Sequence, residues 1–372
     1  MITTLVVTLL VATPPTRPLK KAGLIGNGNW EMAKCPGFSH FPFTICHSGC
    51  VLQHAAGGDA TQGRASTGSF QFETDEFWLN LHHFLYVLGR AEAKTSDASR
   101  PAVAGAPADA ERGLAVLTDE ERALWRQGVT AYATGLSRKD AVFDESLSSV
   151  ARALADVDDA PTLSGTAIDA ATVTILERAA PVYRKAWWPA HRAANREWHS
   201  SIQRLLDRHG LAILGFLTKA YGMQWPGDGY PVHLSSYANW AGAYSTRARL
   251  LVVSSLDPID KDLAGLETVF HEAMHQWDER MAAALLGEAG KLGKEVPNGL
   301  SHALIFFTAG EAVRRIDPGY VPYADVAGVW QRGMGSFKAA LVEIWKPYLD
   351  GRGTRDEALA ALVARTATEK RR

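Results

Sequence analysis

From residue 74 onward, apolar side chains recur at spacings of three and four, the period of helices that bury one face. In "TDEFWLNLHHFLYVLGRAEAK" (74–94) the stripe is Phe77, Leu81, Phe84, Leu85 and Leu88. "LTDEERALWRQGVTAYATG" (117–135) opens with Thr118 and Glu121 three apart, a pair that can cap a helix start reciprocally. The period continues over 137–157, resumes near 165 and runs through 180–210, where Pro189 predicts a kink and Gly210 a C-terminal cap. Residues 96–110 read as a linker.

Between 231 and 256 the pattern changes to alternation. "PVHLSSYANWAGAYSTRARLLVVSS" predicts two or three short strands joined by a turn at "YSTRAR". An unbroken helix over 259–286 follows, its apolar face formed by Leu263, Leu266, Val269, Phe270, Met274 and Trp277. Three more helices are expected at 298–319, 323–345 and 354–368. The fold class expected is mainly α with a small antiparallel or mixed β-sheet. A helical domain over 71–215 precedes a second domain over 216–372 that carries the sheet.

The residues before 71 differ. Positions 2–12 form an apolar run as long as a signal-peptide core and too short to span a bilayer, so 1–14 is a candidate signal peptide and secretion or periplasmic export is expected. Residues 15–70, rich in Gly, Pro, Ser and Thr, read as an irregular lead-in. Cys35, Cys46 and Cys50 all fall there beside His40, His47 and His54, a set compatible with one disulfide plus a free thiol or with a metal knuckle. Hydrophobic residues make up 47% of the 372 and charged residues 21%, which fits a globular chain with a large core. The net charge of -1 leaves no electrostatic footprint for nucleic acid or anionic lipid, and no later stretch reads as an integral membrane segment. Trp187, Trp188, Trp198, Trp225 and Trp240 are expected to build core.

The chemistry concentrates in "LETVFHEAMHQWDE" (266–279). His271 and His275 stand about 40° apart on a helix and one turn along, so both imidazoles can reach one ion. Glu272 is turned about 100° from His271, poorly placed as a ligand but able to hold a water near that ion. Zinc there would lower the water's pKa to about 7 and polarise a carbonyl while the carboxylate shuttles the proton. Burying two histidines and a glutamate without a partner costs several kcal/mol, so a ligand satisfying all three is the economical reading.

Strand, linker and "ETVFHEAMHQWDE" together resemble the zincin metallopeptidases, and within them the gluzincin branch, over roughly residues 230–325. "QWDERM" lacks the further Gly and His of the metzincin branch. The resemblance implies that 216–372 is a zincin-like catalytic domain, that Zn2+ is the cofactor, that Glu272 is the general base, and that the substrate is a peptide or protein. It also implies a third ligand from a downstream glutamate. Glu295 lies in "KLGKEVPNG", among helix breakers, whereas Glu311 lies in the apolar helix "ALIFFTAGEAVRR", so His271, His275 and Glu311 are the expected metal ligands. The acidic residue often found four after that glutamate is Arg315 here, which leaves Asp278 as a candidate outer support. Tyr320 and Tyr323 are candidate oxyanion donors. His302, nine residues from Glu311 and so half a turn out of phase, is expected to be a buried or capping histidine. "NWAGAY" (239–244) resembles the edge strand that lines the gluzincin cleft, though it lacks an acidic residue to capture a substrate amine. Two other functions fit the same residues: a zinc-stabilised helical binding module without catalysis, and a zinc hydrolase of non-peptide amides or esters.

Overall fold

The computed structural model describes residues 69–93, 105–157, 159–227, 229–239, 241–246 and 250–369. The candidate signal peptide, the lead-in to residue 68, the three cysteines and Trp240 lie outside the described residues.

A short strand, β1 (Phe70–Glu73), leads into six helices: α1 (Phe77–Glu92), α2 (Ala106–Leu114), α3 (Asp119–Thr134), α4 (Glu145–Ala155), α5 (Ala170–Ala186) and α6 (Trp188–Tyr221). Three strands follow, β2 (Tyr230–Ser235), β3 (Ala243–Ser245) and β4 (Leu251–Ser254). The remainder is α7 (Asp262–Met274), α8 (Asp278–Lys291), β5 (Lys294–Glu295), α9 (Leu300–Arg314), α10 (Tyr323–Val326), α11 (Gly335–Ala340), α12 (Lys346–Leu349), α13 (Arg355–Thr366) and β6 (Thr368–Glu369). The protein is therefore mainly helical with a small mixed sheet. No helix among the described residues is long and apolar enough to cross a membrane.

The main sheet has the order β1-β2-β4-β3, with β1, β2 and β4 parallel and β3 antiparallel to β4. Alternation along β4 sorts its side chains between two cores. Leu251 and Val253 pack with α6, α7 and α9, while Val252, with Tyr244 of β3, packs with α1, α3 and α5. Both faces are covered, which is why "LLVV" reads as a continuous apolar run. The two halves expected from the sequence thus share this sheet, and the described residues form one compact unit.

Several expected boundaries are corrected. β1 extends the sheet from the end of the stretch read as irregular, with Phe70 opposite Tyr230. The linker over 96–110 contains the start of α2. The helix expected over 180–210 is interrupted at Trp187, between α5 and α6, which leaves Pro189 in the first turn of α6, where its missing N–H has no intrahelical acceptor to lose. Gly210 is buried inside α6, which runs on through the expected boundary at 215/216 to Gly222, whose φ of 63° supplies the left-handed cap. The expected helix over 259–286 is divided, since His275–Trp277 tighten into a 3-10 turn between α7 and α8. The expected helix over 323–345 is likewise broken into α10, a 3-10 turn at Val329–Gln331, α11 and a π-helical turn. The helical stretch expected over 137–157 is helical only as a 3-10 turn at Leu136–Arg138 and, after a non-helical link, as α4. Thr118 and Glu121 do form the reciprocal cap of α3, and Trp187, Trp188 and Trp198 are core residues, with Trp225 partly buried against the core.

Candidate metal centre

α7 and α9 pack side by side over faces that recur every fourth residue on both. His275 meets His302 with ring centres 4.9 Å apart, and His271 meets Phe306 at 4.2 Å. One turn further, a Cβ placed on Gly310 would lie 3.5 Å from Glu267 Oε1. Positions 267, 271 and 275 thus run antiparallel to 310, 306 and 302. Leu266, Val269, Phe270, Ala273 and Met274 anchor α7 in the core around them.

His271, His275 and His302 each offer a nitrogen within 4.8 Å of the others. His271 Nε2 and His302 Nε2 are 3.1 Å apart, close to the spacing of about 3.3 Å that two nitrogens take in a tetrahedral zinc site. His275 Nδ1 is bonded to Asp278 Oδ2 at 2.7 Å, which fixes the ring so that Nε2 is the nitrogen left for a ligand. Burial, reinforced by the neighbouring imidazoles, holds His271 well below the usual histidine range. Burial and His275 bring His302 down to about 3. Both rings are therefore neutral donors near pH 7, as metal ligation requires. For His275, burial is outweighed by the bond to Asp278 and the nearby carboxylate charges, and its pKa rises. The donor set fits zinc, which favours imidazole nitrogen and three protein ligands at a catalytic site. Phe306 lies against both His271 and His302 and gives the centre an apolar wall.

Glu272 is buried beside this group. Ser245 Oγ, on β3, lies 2.8 Å from Glu272 Oε2 and 3.1 Å from its backbone oxygen. Burial pushes the Glu272 carboxyl up, partly countered by His275 and Ser245.

The glutamates expected as third ligand are elsewhere. Glu311 is buried on the other side of α9, where Arg314 and Lys346 approach its carboxylate at 3.0 and 3.2 Å and Arg315 at 3.6 Å. It lines a cleft of about 740 Å³ with Arg314, Arg315, Tyr320, Lys346 and Asp350, and none of the three histidines. Glu295 is exposed on β5, opposite Thr368 of β6. His302 completes the histidine cluster instead, by the same phase relation that separates it from Glu311. The available signal was the fourfold spacing of His302, Phe306 and Gly310, masked because α9 is apolar on nearly every side.

The two tyrosines part ways. Tyr320 donates to Glu267 Oε2 at 2.7 Å, an oxygen that also accepts from the Tyr323 backbone N–H at 3.1 Å. Tyr323 instead stacks on Phe306, 6.3 Å between centres and nearly parallel, and its hydroxyl donates to the Ala241 carbonyl at 3.3 Å. That places its hydroxyl at the start of β3. Asp278, expected as outer support, bonds His275, whereas Ser245 and Glu267 had no distinguishing signal in the sequence. Comparison with protein-family models, curated proteins and solved structures gives no match to this chain.

Proposed function

We propose that this chain is a zinc-dependent hydrolase of peptide bonds, with His271, His275 and His302 as metal ligands and Glu272 as general base. The observation that carries this reading is the convergence of three imidazole nitrogens within 4.8 Å, with a buried carboxylate next in sequence to the first. Zinc held there supplies Lewis acidity, which lowers the pKa of a water to about 7 and polarises a carbonyl. The chain's own groups then place the proton. Glu272 takes it from the water as the water oxygen bonds to the substrate carbonyl carbon, and returns it to the nitrogen as the C–N bond breaks. Ser245 holds Oε2, so Oε1 is the oxygen that would take the proton. Tyr323 offers a hydroxyl just ahead of β3, at the Ala241 carbonyl, and Phe306 gives the histidine side an apolar wall.

The reading departs from the gluzincin pattern at the third ligand. Imidazole ligands carry no negative charge and would leave the ion's full charge to act on the water, whereas a carboxylate would cancel part of it. A peptide is favoured over other acyl substrates because β3 ends the sheet order, beside α7, and its outer edge can pair with an extended backbone. The test is Glu272→Gln, with hydrolysis of peptides and acyl esters measured side by side. The variant should keep its zinc and lose about 10²- to 10⁴-fold in rate. Zinc-loaded wild type that cleaves neither substrate would leave a zinc-stabilised binding module, and a variant as fast as an active wild type would remove Glu272 from the role of base.

A further inference from the structure

The loop between β4 and α7 carries a second convergence of ligand-type atoms. A Cβ on Gly242 would lie 2.8 Å from both Asp257 Oδ2 and Asp260 Oδ2, so the two carboxylates close on the same backbone point. Gly242 tolerates this because it has no Cβ and takes a φ of 83°. Asp260 is 1% exposed, and only one of its oxygens is satisfied: Oδ1 accepts from Thr268 Oγ1 at 2.7 Å, while Oδ2 is buried with no partner. Asp257 Oδ1 accepts from the Ile259 N–H at 2.9 Å, which aims its other oxygen at Gly242. The ammonium of Lys261 is taken up by the Ser255 carbonyl. Two carboxylates therefore face one point, and the inner one reaches it with an oxygen, Asp260 Oδ2, that has no hydrogen-bond partner.

A buried carboxylate oxygen without a partner is costly, and a second carboxylate beside it adds repulsion. Burial and then Asp257 hold the Asp260 carboxyl up at about 8, and a cation that takes the place of its proton removes both costs. We propose that Asp257 and Asp260 bind a calcium-type hard divalent cation that ties the loop ahead of α7 to the turn at the start of β3. The carboxylate donors favour a hard ion over zinc, which the imidazole cluster suits better. Calcium is favoured over magnesium because it accepts irregular geometry and sheds water readily, and the Asp260 oxygen is sealed from solvent. A compact ion also suits a niche walled by the Gly242 backbone better than the ammonium of a substrate. The ion would hold β3, and Ser245 with it, against α7, whether or not the histidines bind zinc.

The test uses the full chain, stripped with chelator and reloaded with zinc only. Calorimetric titration with calcium chloride should then give one ion per chain and raise the thermal unfolding midpoint. Asp257→Asn, at a partly exposed position that can fold without the charge, should weaken calcium binding by about tenfold or more. His302→Ala should bind calcium as wild type does, which separates this site from the zinc reading. The proposal is overturned if wild type takes up no calcium below about 1 mM, or if Asp257→Asn binds it as tightly as wild type. It is equally overturned if magnesium or ammonium raises the midpoint as much as calcium.

Discussion

His302 and Glu311 point away from each other across α9. The first lies 3.1 Å from His271, and the second is enclosed by Arg314, Arg315 and Lys346. Nine residues amount to two and a half turns, so one helix cannot present both to the same ion. His302→Ala should therefore lose zinc affinity by more than about 100-fold, since even an outer partner of a ligand is worth 10- to 100-fold. Glu311→Gln should bind zinc as wild type does and cost about 1 to 2 kcal/mol of stability, because its cationic partners are partly exposed. Metal analysis of the two purified variants, beside denaturant unfolding, checks both. Zinc lost with Glu311 and kept without His302 would reverse the assignment.

Ser245 connects the sheet to the proposed base. Its hydroxyl donates to the Glu272 carboxylate and comes from the edge strand on which a peptide would lie. Ser245→Ala should lower kcat by about 10-fold, as expected for one hydrogen bond to a charged group, with zinc content unchanged. Ser245→Thr should restore part of the rate. A drop in zinc equal to the drop in rate would instead mean that Ser245 supports the metal cluster.

Much of this is legible in the sequence, and what is not has identifiable causes. His271, Glu272 and His275 are brought together by local geometry alone, so their spacing sufficed. Asp278 could be anticipated because it lies three residues from His275, within reach of one helical turn. The third member of the histidine cluster required knowing which side of α9 faces α7. Hydrophobic periodicity settles that only for a helix with a polar side, and α9 is buried almost throughout. The 3-10 turn at His275 was hidden for a related reason, since an apolar period does not report a local change in helical pitch. β1 was hidden because "FQFE" is four residues long and gains its stability from pairing with β2, some 160 residues away.

The two tyrosines near the site should separate in a kinetic experiment. Tyr320 donates to Glu267, a carboxyl that burial pushes up to about 7 against the pull of this bond. Tyr320→Phe should cost about 1 to 2 kcal/mol of stability, the value of one buried hydrogen bond, and leave kcat within about twofold. Tyr323→Phe removes the hydroxyl beside β3 and should lower kcat by about 10-fold or more while leaving the fold intact. Circular dichroism melts and turnover measured on the same samples would resolve the pair. Equal kinetic losses would return Tyr320 to the site.

The helical half contributes a pH dependence that has nothing to do with the metal centre. His82 is buried, its Nδ1 2.9 Å from the Tyr132 hydroxyl, and burial lowers its pKa to about 4. His83, its neighbour, is shifted the same way, by burial first and then by the charges of His82 and His233. The unfolded chain therefore binds a proton at His82 below about pH 6.5 that the folded chain refuses until about pH 4. The stability linked to this group is fully present above the unfolded value and is lost as the pH falls through the folded one. Between roughly pH 7.5 and pH 4.5 the loss should be about 2 to 3 kcal/mol. His82→Asn keeps a polar atom near the Tyr132 hydroxyl but cannot take up the proton. Urea unfolding of both proteins at the two pH values should give a smaller difference for the variant by about that amount. An equal difference in the two proteins would mean that His82 is already open to protons in the fold.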